Sequence, residues 1–242
     1  MRIGAGSIKP ELPGIAHGRI LEPEVMDDDA EVEAYLDGVA TAHLNRMDDH
    51  FIAQVLRLLP ERPRQTFRVL DVGTGTGAIP LKIAGIRKDL RVVGIDRSAA
   101  MLARARASAT SAGLARRVTF RRANGRRIPY SDGWFDLVIS NSLMHHLPDP
   151  APVIDDMARV LRRGGRLFIR DLRRPRAADI EKHIRTHGRP YRGTMYRLFS
   201  DSVRAALTGP EMRACVSRTR LARRRRSPVV RGQLATYIVI EV

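Results

Sequence analysis

Three glycines at alternate positions, Gly73, Gly75 and Gly77, follow an acid, Asp71, at the end of the apolar run Val69-Leu70-Asp71-Val72. Glycine lets a backbone turn sharply and lets a ligand approach where a Cβ would collide. Between a strand and a helix, such a turn is the phosphate- or carboxylate-binding corner of a nucleotide-binding α/β domain. The spacing here is G-x-G-x-G with Ala78 next, not the G-x-G-x-x-G of dinucleotide sites. Asp71, two residues before the first glycine, would repel a diphosphate and attract a ligand that carries an ammonium group. A second acid, Asp96, closes the apolar run Val92-Val93-Gly94-Ile95. It lies about twenty residues beyond the loop, where a ribose-binding carboxylate is expected. It can accept both ribose hydroxyls and would repel a 2′-phosphate. The third capable group is the pair His145-His146, the only adjacent histidines, directly after Ser140-Asn141-Ser142-Leu143. An imidazole there could deprotonate an O–H or N–H; the alternatives are that the pair shapes a pocket or caps the next helix.

These groups need a scaffold, and from Arg68 onward the chain alternates strand and helix patterns. Strands are expected at Arg68–Val72, Arg91–Ile95, Val118–Arg121, Phe135–Ser140 and Gly165–Asp171, with helices at Ala78–Ile86, Ala99–Ala112 and Pro152–Leu161 between them. Continuous apolar runs such as Leu137-Val138-Ile139 fit a parallel sheet covered on both faces. Gly164-Gly165 reads as a helix C-cap and turn. Residues 172–208 break the rhythm and read as a helical insertion, followed by a helix near Pro210–Ser217. A terminal strand, Tyr237–Val242, is expected to pair with one around Arg220–Arg226. Upstream, residues 1–22 read as a tail or lid strand. Asp27-Asp28-Asp29 offers N-caps for a helix over Ala30–Ala42, and a second helix runs over Asp48–Leu59 until Pro60 stops it. The organisation expected is a tail with lid helices over residues 1–60 and one α/β domain over residues 61–242.

A chain of 242 residues can bury one large α/β core. No apolar run is long enough to span a membrane, and the N-terminus lacks a signal-peptide pattern, so a cytoplasmic protein is expected. The single cysteine, Cys215, excludes an internal disulfide framework and a multi-cysteine metal site; no metal site is expected. The net charge is +17, unevenly spread: residues 1–60 hold 5 Lys/Arg against 11 Asp/Glu, and the remainder holds 38 against 15. Basic residues raise the possibility of a polyanionic partner. Their scatter over every segment favours ordinary surface and pairing with the acidic N-terminal part instead.

The glycine loop, the Asp96 strand and three later segments together resemble the class I S-adenosylmethionine-dependent methyltransferases, in particular the small-molecule subgroup of ubiquinone and menaquinone biosynthesis enzymes. The later segments are Val118-Thr-Phe-Arg-Arg-Ala-Asn124-Gly125-Arg-Arg-Ile-Pro129, Trp134-Phe-Asp136 through His146-Leu-Pro-Asp149, and Arg159-Val-Leu-Arg-Arg-Gly164-Gly165 through Asp171. The ordered set spans residues 69–171. The resemblance implies a doubly wound, Rossmann-like seven-stranded sheet in order 3-2-1-4-5-7-6, with strand 7 antiparallel and filled by Tyr237–Val242. It also implies S-adenosyl-L-methionine as cofactor. Gly73, Thr74, Gly75 and Gly77 would then hold its amino acid part (with Thr76 as a further hydroxyl), Asp71 its ammonium and Asp96 its ribose. Asn124, where the family usually has Asp, would accept from the adenine amino group, followed by Gly125. Arg97 would stack on the adenine, Asn141 and Ser142 would face the methionine half, and Tyr35 would lie near the carboxylate.

The reaction so implied is an SN2 transfer of a methyl group to a small-molecule acceptor, with the cofactor already activated and the protein aligning the reactants. His145 and His146 are the catalytic candidates. Arg170, Arg173, Tyr191, Arg192, Tyr196 and Phe199 are acceptor-pocket candidates, suited to an anionic or aromatic acceptor. An RNA methyltransferase is the rival suggested by charge, but Ser140-Asn141-Ser142-Leu143 lacks the Asn/Asp-Pro-Pro-aromatic motif of base N-methylation and Cys215 is misplaced for carbon-5 chemistry. A non-catalytic cofactor-binding module and an NAD-dependent oxidoreductase are the other readings, the last opposed by the loop spacing and Asp71.

Overall fold

The computed structural model describes residues 18–22, 38–61, 66–223, 228–233 and 236–242. Seven strands form one sheet: β1 (Phe67–Val72), β2 (Leu90–Asp96), β3 (Val118–Arg122), β4 (Phe135–Asn141), β5 (Leu161–Leu172), β6 (Val229–Gln233) and β7 (Tyr237–Glu241). Their order is β3-β2-β1-β4-β5-β7-β6. The pairs from β3 to β5 are parallel, while β7 runs antiparallel to both β5 and β6. This is the order that the family resemblance implies, with the terminal strand in the antiparallel slot.

The helices are α1 (Gly38–Leu58), α2 (Ala78–Ile86), α3 (Ala99–Ser111), α4 (Ala151–Val160), α5 (Ile180–His187), α6 (Gly193–Ala205) and α7 (Gly209–Ser217). Successive strand residues point to opposite faces, and the core divides accordingly. Val69, Leu137 and Ile139 pack with Phe51, Ile83 and Leu102 from α1, α2 and α3 on one face. Leu70, Val72 and Val138 pack with Ile154, Met157 and Met212 from α4 and α7 on the other. Caps fix where helices begin: Ser98 Oγ accepts from Met101 N at 3.2 Å to start α3, and Thr208 and Glu211 form a reciprocal capping box on α7.

Three expectations need correction. The helix expected over Asp48–Leu59 runs over Gly38–Leu58 in the described residues, because no glycine or proline interrupts residues 39–58; residues 30–37 of the other expected helix lie outside the described residues. Gly164-Gly165 does not cap a helix. Helix α4 ends at Val160, and the glycines lie inside the span of β5. Gly164 sits there at φ +75, and a Cβ on Gly165 would come within 2.8 Å of the Asp136 carbonyl oxygen. The partner of β7 is Val229–Gln233 rather than a strand at 220–226; Arg220–Arg223 is a 3-10 turn that buries Leu221, and a short connection brings two neighbouring strands together most directly. The insertion after β5 is helical as expected, built of the turn Ala177–Asp179, α5 and α6. No described helix is long and apolar enough to cross a membrane.

Candidate functional site

A cavity of about 240 Å³ opens at the carboxyl ends of β1, β2, β4 and β5, where ligands bind in open α/β sheets. One side is the glycine loop. Gly73 and Thr74 both donate their backbone N–H to Ile95 O, at 2.9 and 3.0 Å, which folds the loop back over the end of β2. Gly73 is at φ +76, where a Cβ would stand 3.0 Å from the Leu143 side chain, while Gly75, at φ +53, has no atom within 4 Å of where a Cβ would stand. Gly73, Thr74, Gly75 and Thr76 all line the cavity, as does Asp96. The Asp96 carboxylate accepts from Gly75 N and Ser98 N, both at 2.9 Å. The ribose-type acid is thus locked to the glycine loop by a hydrogen bond that the linear sequence does not reveal.

Asp71 lies beneath this loop, fully buried. Its Oδ2 accepts from Thr74 Oγ1 at 2.7 Å, and its Oδ1 has no partner. Burial drives its pKa up to about 7, and the nearby Asp96 and Asp48 add to the rise while the Thr74 hydrogen bond opposes it. Asn141 and Ser142 line the cavity as well, whereas Gly77, Arg97, Asn124 and Gly125 stand away from its lining. Gly77 is the N-cap of α2, where a Cβ would meet Phe120. Gly125 packs against Val72 and Val153. Asn124 uses its side-chain carbonyl to accept from Arg126 N at 3.0 Å, an Asx turn. Arg97 has its carbonyl on Arg122 and does not line the cavity. Tyr35 lies outside the described residues.

The second side of the cavity is built from α1, β4, β5, α6 and β7. Ser142 is the one non-glycine residue at positive φ (+57) among those described, held by its N–H to Arg170 O at 2.9 Å; strain of this kind gathers at functional sites. Beside it, Arg170 is buried. It donates to Asn141 Oδ1 and to Met47 O, both at 2.8 Å, and its guanidinium lies over the rings of Phe51 and Tyr237 at 4.9 and 4.7 Å. Asn141 donates in turn to Asp48. Burial raises the Asp48 pKa to about 6 although Arg170 and Lys82 oppose it. Of the acceptor-pocket candidates, Arg170, Tyr191 and Phe199 line the cavity, with Met47, Leu143, Leu172, Met195 and Leu198 around them; Arg173, Arg192 and Tyr196 do not. The expected arginine cluster is therefore not assembled, and the chamber is apolar.

Between the two sides stand the histidines. His145 is buried and donates from Nδ1 to Asp171 Oδ1 at 2.6 Å, while Asp171 Oδ2 accepts from Met144 N. The other ring nitrogen, Nε2, faces Glu22 Oε1 at 3.4 Å, and His146 Nδ1 reaches the same oxygen at 3.2 Å. Burial disfavours charge on His145, but Asp171 and Glu22 outweigh it and hold its pKa above the ordinary value. Burial also raises the pKa of Glu22. Residues 18–22 are pinned here: Arg19 donates to the carbonyls of His145 and Pro148, at 2.8 and 3.2 Å, and to that of Ala205.

Sequence reasoning missed Glu22, Asp48, Met101, Ser202 and Tyr237 as lining residues. It also missed Asp171 as the partner of His145, and Gly94, where a Cβ would stand 2.6 Å from Thr74 Oγ1. Glu22 carries no local signal; the acid Asp171 at the end of an apolar strand was visible, as Asp96 was, but nothing in one dimension pairs it with His145.

Residues 64–216 match the family model of the methyltransferase domain. The 27-O-demethylrifamycin SV methyltransferase of Amycolatopsis mediterranei (strain S699) is 40% identical over 115 residues, 47% of this chain and 42% of that protein. The demethylmenaquinone methyltransferase of Lactiplantibacillus plantarum is 37% identical over 111 residues, 44% of this chain and 46% of that protein. The chain thus spans less than half the length of these two curated relatives. The crystal structure of a SAM-dependent methyltransferase from Aquifex aeolicus shares the fold, with a TM-score of 0.56 at 18% identity over 89% of this chain and 93% of that one.

Proposed function

The chain belongs to the methyltransferase-domain family, and on that premise we propose that it transfers a methyl group from S-adenosyl-L-methionine to a largely apolar or aromatic small molecule. The observation that carries this reading is one cavity that joins the glycine loop and Asp96 to a chamber of Tyr191, Met195, Leu198 and Phe199, with His145 and His146 in its lining. The cofactor supplies an activated sulfonium methyl. Gly73, Thr74 and Gly75 hold its amino acid part and Asp96 its ribose, and its ammonium, set against the unpartnered oxygen of Asp71, draws that buried acid into its carboxylate form.

The apolar chamber aligns the acceptor and excludes water, so that nucleophile, methyl carbon and sulfur come into line. The carboxylates of Glu22, Asp48 and Asp96 in the lining disfavour an anionic acceptor. The proton of an O–H or N–H acceptor passes to the imidazole cluster. Asp171 fixes the tautomer with the proton on Nδ1 and leaves the Nε2 lone pair of His145 as the base. Calorimetry with S-adenosylmethionine, S-adenosylhomocysteine and NAD tests the cofactor, and a labelled-methyl screen against phenol, quinol, amine and thiol pools tests the acceptor. Both adenosyl ligands are expected to bind and NAD is not. Tight NAD binding with no binding of S-adenosylhomocysteine overturns the reading.

A further inference from the structure

We propose that Glu22, His145 and His146 form a binding site for a divalent first-row transition-metal ion, set in the cavity wall with coordination positions open toward the acceptor. The sequence points to no metal; the site exists only because residues 18–22 fold back onto the turn that follows β4. Two ligand atoms that each lie about 2.1 Å from an ion, roughly 90–110° apart, are about 3.0–3.4 Å from each other. Glu22 Oε1 stands 3.4 Å from His145 Nε2 and 3.2 Å from His146 Nδ1, and the three residues each offer a ligand atom within 4.8 Å of the others. Two histidines and one carboxylate with open positions is a donor set for ions such as Zn²⁺, Co²⁺ or Fe²⁺, not for Mg²⁺ or Ca²⁺.

The surroundings support an ion over a simple pair of hydrogen bonds. A charge-assisted N–H···O bond is ordinarily about 2.7–2.9 Å long, so both contacts to Glu22 are slack. On the opposite edge of the same ring, the His145 to Asp171 bond is 2.6 Å. A short carboxylate bond on one imidazole nitrogen, with the other nitrogen aimed at further donors, is the carboxylate–histidine–metal arrangement, in which the outer acid fixes the tautomer and raises ligand basicity. The carboxylate ligand is also built in: Ser202 Oγ donates to Glu22 at 3.1 Å, and Arg19 ties the segment to three backbone carbonyls. All three ligands line the cavity, so an oxygen of the acceptor can complete the coordination. With an ion bound, His145 Nε2 is no longer a base, and activation of the acceptor oxygen passes to the ion, which lowers the pKa of a coordinated hydroxyl. The proton then leaves to solvent.

The proposal concerns ion binding and does not depend on methyl transfer, so its test is binding. The chain, stripped with EDTA, is titrated calorimetrically with Zn²⁺, and Co²⁺ is added for its visible d–d bands. One ion per chain is expected in the wild type, with affinity lowered at least tenfold by His146→Ala and by Glu22→Gln. Asp171→Asn, a positioning change, is expected to weaken binding by about 10–100-fold and to shift the Co²⁺ bands. Among the described residues, His183 and His187 on α5 have ring centroids 4.4 Å apart and form a second histidine pair able to attract zinc, so His187→Ala is the control and is expected to leave the affinity unchanged. Circular dichroism of each variant reports folding, and His146→Gln serves if His146→Ala unfolds. Absence of a site in the wild type overturns the proposal. So does binding that survives His146→Ala and Glu22→Gln but is lost in His187→Ala.

Discussion

Gly75 and Gly77 are two residues apart and both left-handed, yet the structure assigns them different work, and substituting each by alanine separates it. Gly75→Ala places an L-residue at φ +53 with no atom near the new methyl group. The strain is about 1–2 kcal/mol, or roughly 2–8 °C in Tm at 2–4 °C per kcal/mol for a chain of this size. The methyl group then projects into the space proposed for the cofactor. A loss of S-adenosylhomocysteine affinity of at least about tenfold is expected, equivalent to ~1.4 kcal/mol. Gly77→Ala meets the same backbone strain at φ +77, and its Cβ would also stand 2.5 Å from Phe120 Cζ and 3.0 Å from Ala105 Cβ. Overpacking adds about 1–3 kcal/mol, so the total is about 2–5 kcal/mol. Because Gly77 does not line the cavity, its folded fraction should bind ligand within a few-fold of the wild type. Denaturant melts, calorimetry and the double variant Gly77→Ala/Phe120→Leu complete the comparison. Trimming Phe120 should recover the steric part of the Gly77→Ala penalty and leave the backbone part. Wild-type ligand affinity in a folded Gly75→Ala protein would refute both the division of labour and the placement of the cofactor on the loop.

Asp71, with its pKa raised to about 7 by burial, keeps a proton in the folded state that the unfolded chain gives up near pH 4. Stability is therefore expected to fall as pH rises from about 4 through about 7, by up to ~4 kcal/mol from this group. Asp71→Asn should lack that component, read as the difference between the two urea-denaturation profiles; parallel profiles would count against it. Arg170→Met removes the donors to Asn141 and Met47 and leaves Asp48 without its nearest compensating cation. A destabilisation of about 3 kcal/mol is expected, and Arg170→Lys should recover little of it, since an ammonium cannot make both bonds while stacking on two rings.

The strand and helix order was legible because it rests on local patterns: apolar runs bounded by Gly, Pro and Asp. The corner that lines the cavity was legible for the same reason, since Gly73, Gly75 and Asp96 are placed by backbone shape and one strand end. The departures fell where a residue has two local uses. Asn124 could face a ligand or cap a turn, and its side-chain carbonyl accepts from Arg126 N. Gly164-Gly165 could end a helix or bend a strand, and they lie in the strand. Arginines near Tyr191 suggested an anion site, but Arg173 and Arg192 do not reach the cavity lining, while Arg170 is buried against Asn141 and two rings.

The sequence by itself determined the separate strands and helices, the corner that turns between β1 and α2, and the acid at the end of β2, because each depends on neighbours within a few residues. Only the tertiary structure decided what the histidines touch. Glu22 meets His145 more than a hundred residues away, and Asp171 meets it from the end of the adjacent strand β5. Those contacts follow from strand order and from the return of residues 18–22 over the cavity. No pattern of period two or three and a half encodes that return.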